Sequence, residues 1–178
     1  MARVSALPAE EDDFRDIYAR HQVRVLRLCR LLLTDTEEAE ETAQEVFLKA
    51  FRSYRGGQRP DAWDKWLTTV AINACRDRRR SSWWKRWRTR TEEFDEFRSP
   101  EHVHHSAEEE VSRRETYKLV WGRFSKLSTR QREVFALRHF EGWSTEEVAA
   151  QLGLSTGSVK QHLFRAVHEL RKGIGKDL

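Results

Sequence analysis

The sequence predicts an all-α fold of two small helical domains joined by a flexible linker, and three observations carry that prediction. Gly (8) and Pro (3) are scarce among 178 residues, which argues against the many tight turns of an all-β chain. Apolar residues recur at steps of three and four along most of the chain, the period of one helical face. Three stretches place a capping residue three positions before Glu or Gln: Asp35 with Glu38, Ser128 with Gln131 and Ser144 with Glu147. That is the pattern of a capping box, in which two backbone donors at a helix start are satisfied reciprocally.

The elements follow in order. From Glu10, the positions Phe14, Ile17, Tyr18, His21, Val25, Leu28 and Leu32 form one face of a first helix. Asp35 opens a second, with Ala39, Ala43, Val46, Phe47, Ala50, Phe51 and Tyr54 inward, ending at Gly56-Gly57, where glycine supplies a left-handed residue. Asp61 is the expected cap of a third, whose face is Trp63, Trp66, Leu67, Val70, Ala71 and Ala74. Three amphipathic helices with short connections make a small bundle over residues 10–90. Residues 91–111 lose this order and read as an extended, solvated linker. Order returns over 112–178. A helix carries Tyr117, Val120, Trp121 and Phe124, and another, capped by Ser128, carries Val134, Phe135 and Leu137–Phe140. A short one, capped by Ser144, carries Val148, Ala149 and Leu152, and the last, capped by Ser155, carries Val159, Leu163, Phe164, Val167 and Leu170.

Composition narrows the function classes. Apolar residues are 38% and charged residues 35%, so any core is modest and helices have broad solvated faces. The net charge is only +4, but it is unevenly spread. Eight of the fifteen residues in RDRRRSSWWKRWRTR, 76–90, are Lys or Arg, whereas 92–110 hold eight carboxylates against one Arg. Such asymmetry points to a polyanionic partner beside a solvated linker. Cys29 and Cys75, with no CxxC neighbour, read as reduced core thiols of a cytoplasmic protein. His102, His104 and His105 are either solvated or, with a cysteine, a metal sensor; no resident metal or cofactor is expected. No apolar run is long enough to span a membrane. No Ser-His-Asp order, phosphate loop or HExxH motif suggests an enzyme or a small-molecule substrate.

The most informative unit is STEEVAAQLGLSTGSVKQHLFRAVHELRK, 144–172. A short capped helix, a turn with Gly and a longer capped helix make the helix-turn-helix pattern. The second helix begins small and polar (Ser155, Thr156, Gly157, Ser158), as entry into a major groove requires. Lys160, Gln161, His162 and Arg165 point outward, with Val159, Leu163, Phe164 and Val167 inward. Lys and Arg suit guanine edges or phosphates, and Gln suits adenine.

Three blocks together, EEAEETAQEVFLKAF (37–51), W..WL..VA.NACRDRRR (63–80) and QREVFALRHFEGWSTEEVAAQLGLSTGSVKQHLFRA (131–166), resemble bacterial RNA polymerase sigma factors. The likeness is to the small extracytoplasmic-function (ECF) group and covers roughly 10–80 and 112–172, leaving Trp83, Trp84 and Trp87 outside it. The resemblance implies that Glu41, Gln44 and Glu45 dock on the β′ clamp helices of core polymerase, Glu41 standing where Asp is common. It implies that Asn73 holds a flipped base of the −10 element while Arg76, Arg78, Arg79 and Arg80 lie along phosphates. Trp63 and Trp66 fall at core spacing, so packing and base contact both stay open, with Trp66 carried forward as a −10 candidate. Ser155, Thr156, Ser158, Lys160, Gln161, His162 and Arg165 become the −35 reading set. The implied partners are core polymerase (β′ clamp helices and β flap), promoter DNA and an anti-sigma factor, membrane-anchored in one form. An autonomous DNA-binding regulator, with the first bundle as a dimerisation or sensing module, is the rival reading. For the tryptophans, packing against polymerase, DNA or a partner helix competes with membrane-surface binding.

Overall fold

A computed structural model describes residues 14–86 and 120–174, and among these every regular element is helical. Helix α1 is Phe14–Leu33, α2 Thr36–Arg55 and α3 Trp63–Arg86. The described part of α4 is 120–124; α5 is Thr129–Phe135 and runs into a π-helical turn, Ala136–Phe140. Helices α6, Thr145–Leu152, and α7, Thr156–Ile174, complete the chain. The acidic linker 91–111, its histidines and Trp87 lie outside the described residues.

The helix starts are where the caps put them, with one exception. Asp35 accepts the Glu38 N–H at 2.7 Å. Ser128 with Gln131, and Ser144 with Glu147, form complete reciprocal boxes. The exception is α3, where Trp66 N–H donates to Ala62 O at 3.1 Å. The residue whose carbonyl accepts the first helical bond is the N-cap, so the cap is Ala62 rather than Asp61. Gly57 takes the left-handed conformation (φ 77°) after α2. Thr34 takes it between α1 and α2 (φ 65°), a rare place for a β-branched residue. In the π turn, Glu141 N–H reaches back five residues to Ala136 O at 3.0 Å. A 3.6 period carries no sign of that extra residue.

The two groups of helices are not separate beads. Ile17, Val25, Leu28, Cys29 and Leu32 of α1, Val46 and Phe47 of α2 and Leu67 and Ile72 of α3 are buried in one apolar cluster. That same cluster contains Val134, Ala136, Leu137, Trp143, Val148 and Val159 from the second half. Helix α1 packs on α2 and α3 and also on α5 and the π turn. A smaller cluster of Phe124, Leu127 and Ala166 ties α4 to α7. Cores form where amphipathic faces meet, and here the seam between the halves is itself core.

Helix α3 passes through Ser81-Ser82 without a break and continues to Arg86, so the backbone at Trp83 and Trp84 is helical.

Candidate nucleic-acid and polymerase interfaces

The second half presents one helix to solvent along a defined row. Gly153 ends α6 in the left-handed conformation (φ 66°), its N–H donating to Ala149 O. The chain turns at once into α7, where Ser155 Oγ accepts the Ser158 N–H at 3.1 Å and Val159 N–H donates to Ser155 O at 3.0 Å. Val159 and Ala166 are fully buried, with Leu163, Val167 and Leu170 half-buried behind them. Thr156, Lys160, Gln161 and Arg165 are exposed, as expected. Ser158 and His162 are half-buried, so His162 sits at the margin of the exposed row rather than within it. Phe164 is not inward at all: it is 72% exposed and stacks with His168, centroids 6.1 Å apart. The steps of four from Lys160 to Phe164 to His168 place all three on one face, a signal that an apolar residue type obscured.

On α2 the acids face away from the core. Glu41, Gln44 and Glu45 are exposed, while Thr42, Ala43, Val46, Phe47 and Ala50 are buried. Leu48, 55% exposed, prolongs the row begun by Gln44. The two glutamates share one cation: Arg78 Nη1 donates to Glu41 and Nη2 to Glu45, each at 2.6 Å. Two residue sets expected to serve different partners therefore hold each other.

Along α3 the residues divide by face. Trp66, Val70, Asn73, Asp77 and Arg80 recur at three and four and form an outer row. Asn73 is exposed and Trp66 half-buried, its ring edge-on to Trp63 at 5.5 Å. Both tryptophans pack against the core margin, and Trp66 also lines a groove of about 450 Å³ with Val70, Lys49, Arg52 and Gln58. Arg80 pairs with Asp77 on the exposed surface. An aromatic wall with basic groups at its rim is what an unstacked base and its phosphate need.

The neighbouring face of α3 is covered by the second half, through acids. Glu133 of α5 is 1% exposed and receives Arg76 Nε at 3.0 Å and Nη2 at 3.1 Å. Arg79 Nη2 at 2.7 Å and Arg130 Nη1 at 2.8 Å complete its coordination. Burial alone raises the Glu133 carboxyl's pKa, but the Arg76 hydrogen bonds and the Arg76, Arg79 and Arg130 charges outweigh it and hold the group below its ordinary value. Arg79 also donates to Leu32 O at 3.2 Å, closing the end of α1. Two more acids cross the seam. Glu141, following the π turn, pairs with Arg24 and accepts from Thr68 at 2.6 Å. Glu147, besides completing its capping box, accepts from Lys65 at 2.6 Å. Thr69 and Gln151 meet at 3.2 Å beside it. Arg76 and Arg79 thus lie half-buried around the buried Glu133, not along an open surface. The sequence shows charge but not pairing, so nothing in its periodicity distinguishes Glu133 from any other glutamate.

Cys29 and Cys75 are fully buried and face each other; the Cys29 thiol is pushed well above its ordinary pKa by the hydrogen bond to Cys75 and by burial. Among the described residues no three His, Cys, Asp or Glu side chains cluster in a metal-binding arrangement, and no helix is long and apolar enough to cross a membrane.

The Sigma-70 region 2 family model matches residues 17–85, and the Sigma-70, region 4 model matches residues 118–170. The first match extends through Trp83 and Trp84, past the point where the resemblance read from the sequence stops. The chain is 34% identical over 173 residues to the ECF RNA polymerase sigma factor SigL of Mycobacterium tuberculosis, covering 96% of this chain and 94% of that one. It is 31% identical over 167 residues to the RNA polymerase sigma-E factor of Streptomyces coelicolor, covering 93% and 89%. In fold it is similar to the sigma factor RpoE of Bartonella quintana, solved with the anti-sigma factor NepR (TM-score 0.72, 19% identity, 94% of this chain and 100% of that one). It is also similar to CnrH, solved with the cytosolic domain of CnrY (TM-score 0.56, 24% identity, 93% and 89%). With both halves matched in order and the likeness running nearly end to end, the chain belongs to the ECF sigma factors of bacterial RNA polymerase.

Proposed function

We propose that this sigma factor docks on core polymerase through the acidic face of α2, reads the −35 element as duplex with α7, and reads the −10 element as an unpaired strand along the outer row of α3. The observation that carries the reading is the exposed row of α7. Lys160, Gln161, Phe164 and Arg165 stand together beyond a capped polar first turn, on a helix whose opposite face is core. Lys, Arg and Gln offer groove-directed hydrogen bonds, and a Phe ring suits a thymine methyl. Ser155 and Ser158 occupy each other in the cap, leaving Thr156 and the first-turn N–H groups as the phosphate-facing end.

For the −10 strand, Asn73 offers a polar amide beside the Trp66–Val70 groove, and Arg52 and Lys49 stand at its rim. This separates base capture from backbone holding, which falls to Arg76, Arg78, Arg79 and Arg80. Glu41, Gln44 and Glu45 form an exposed acidic strip suited to a basic partner helix, with Leu48 adding apolar area. The β flap is the proposed partner of the second half. The sigma factor RpoE, of like fold, was crystallised with the anti-sigma factor NepR; we extend control by such a partner to this chain.

The test is transcription from a promoter library by core polymerase with and without the chain. The expected result is a set of chain-dependent transcripts whose templates share two elements, one at each spacing. Tight binding of duplex by the chain alone, with no chain-dependent transcript, would establish the autonomous regulator instead.

A further inference from the structure

We propose that Glu133 is an intramolecular lock: its carboxylate fills the guanidinium fork of Arg76 and takes one arm of Arg79, sites that a nucleic-acid backbone would otherwise take, so the free chain rests closed. The proposal rests on the reading of α3 as the strand-holding helix. A carboxylate and a phosphodiester present the same paired oxygens to an arginine fork, so only one can fill it at a time. Glu133 fills these well. Both its oxygens are used, Arg76 is gripped bidentately, and Arg79 and Arg130 close the remaining sides at 2.7 and 2.8 Å.

The placement is selective. The outer row of α3, with Trp66 and Asn73, stays accessible, while the arginines one face round are covered by the second half. A closed chain therefore keeps its base-reading groove and the exposed Arg80, but Arg76 and Arg79 are withheld from a strand lying in it. The lock sits on α5, in the half that carries the −35 helix, so the halves must separate before Arg76 and Arg79 reach phosphate. A partner that holds the two halves apart turns on strand binding; the chain alone does not.

Removing the Glu133 charge leaves Arg76, Arg79 and Arg130 facing one another across the seam, which favours opening. The experiment compares the full chain with Glu133→Gln and with the double variant Arg76→Gln, Arg79→Gln. Each is measured by small-angle scattering, far-UV circular dichroism and binding of a labelled single-stranded DNA of mixed sequence. The parent should be compact and bind weakly. Glu133→Gln should expand with its helix content unchanged and bind the strand about tenfold more tightly or better. The double variant should expand equally and gain no affinity. A Glu133→Gln chain as compact as the parent overturns the lock, as does one that expands without binding more tightly. Should Glu133→Gln lose helix content, the double variant decides: a helical but compact double variant overturns the lock. Promoter opening by reconstituted holoenzyme separates the two ideas. If the double variant opens promoters like the parent, the reading of α3 falls. If it fails to, while Glu133→Gln gains nothing as a free chain, the lock alone falls.

Discussion

Arg165 and Phe164 are adjacent in sequence and both exposed on the outer side of α7, yet only the first is of a residue type that announces a contact with DNA. Arg165 is fully extendable into a groove, since the helix turns its core-facing side, Val159 and Ala166, away. Arg165→Ala in holoenzyme should cost roughly 1–3 kcal/mol of −35 recognition and relax preference at one base pair, read from binding to single-position promoter variants. A loss of equal size on every variant would make Arg165 a phosphate contact. Phe164 shows why single residues resist sequence reasoning. Its apolar character argued for the interior, but a helix of this width has room for Val159, Leu163 and Val167 on its inner face and places position 164 beyond them. Cys29 and Cys75 went the other way: reduced core thiols were the expectation, and both are buried.

At the scale of the element, local chemistry was legible wherever the determining atoms lie within a few residues of each other. The boxes at Ser128 and Ser144 and the cap at Asp35 are intact because each needs only a side chain and a backbone N–H three positions apart. Asp61 misled by one residue because its type suits a cap but the first helical bond falls on Ala62. The acidic strip on α2 was likewise visible, since Glu41, Gln44 and Glu45 follow directly from the period of the buried residues. Glu45→Arg should lower core-polymerase affinity by about tenfold or more with the helix content unchanged, read by native co-migration with core and by circular dichroism. Unaltered affinity would remove α2 from the docking surface. The same substitution places a second cation beside Arg78, which keeps only Glu41 as an acid partner.

For the whole molecule, the seam between the halves carries a pH signature. The Lys65 hydrogen bond, with the Ser144 N–H, draws the Glu147 carboxyl from its ordinary 4.5 down to about 2. Glu133 is also lowered, burial being outweighed by Arg76, Arg79 and Arg130. Groups depressed on folding contribute stability that is fully present above their unfolded value and is lost as pH falls through the folded one. Association of the halves should therefore hold from neutral pH to about 4.5 and weaken as pH falls below it. The radius of gyration against pH, with circular dichroism to separate opening from unfolding, checks this. Expansion already between neutral pH and 5 would assign control to a histidine rather than to these acids.

Helicity, most helix starts and the apolar faces are legible in the linear chain, as consequences of residue spacing and of caps only three positions long, and three motif blocks carry the resemblance to sigma factors. The pairing of the charged residues emerges only from the packed helices. That Arg76 and Arg79 meet Glu133, that Arg78 bridges Glu41 and Glu45, and that both halves share one core depend on helices far apart in the chain coming together. A helical period records which way a side chain faces; what it faces is set by packing, and a charge acquires its role from the partner across the seam.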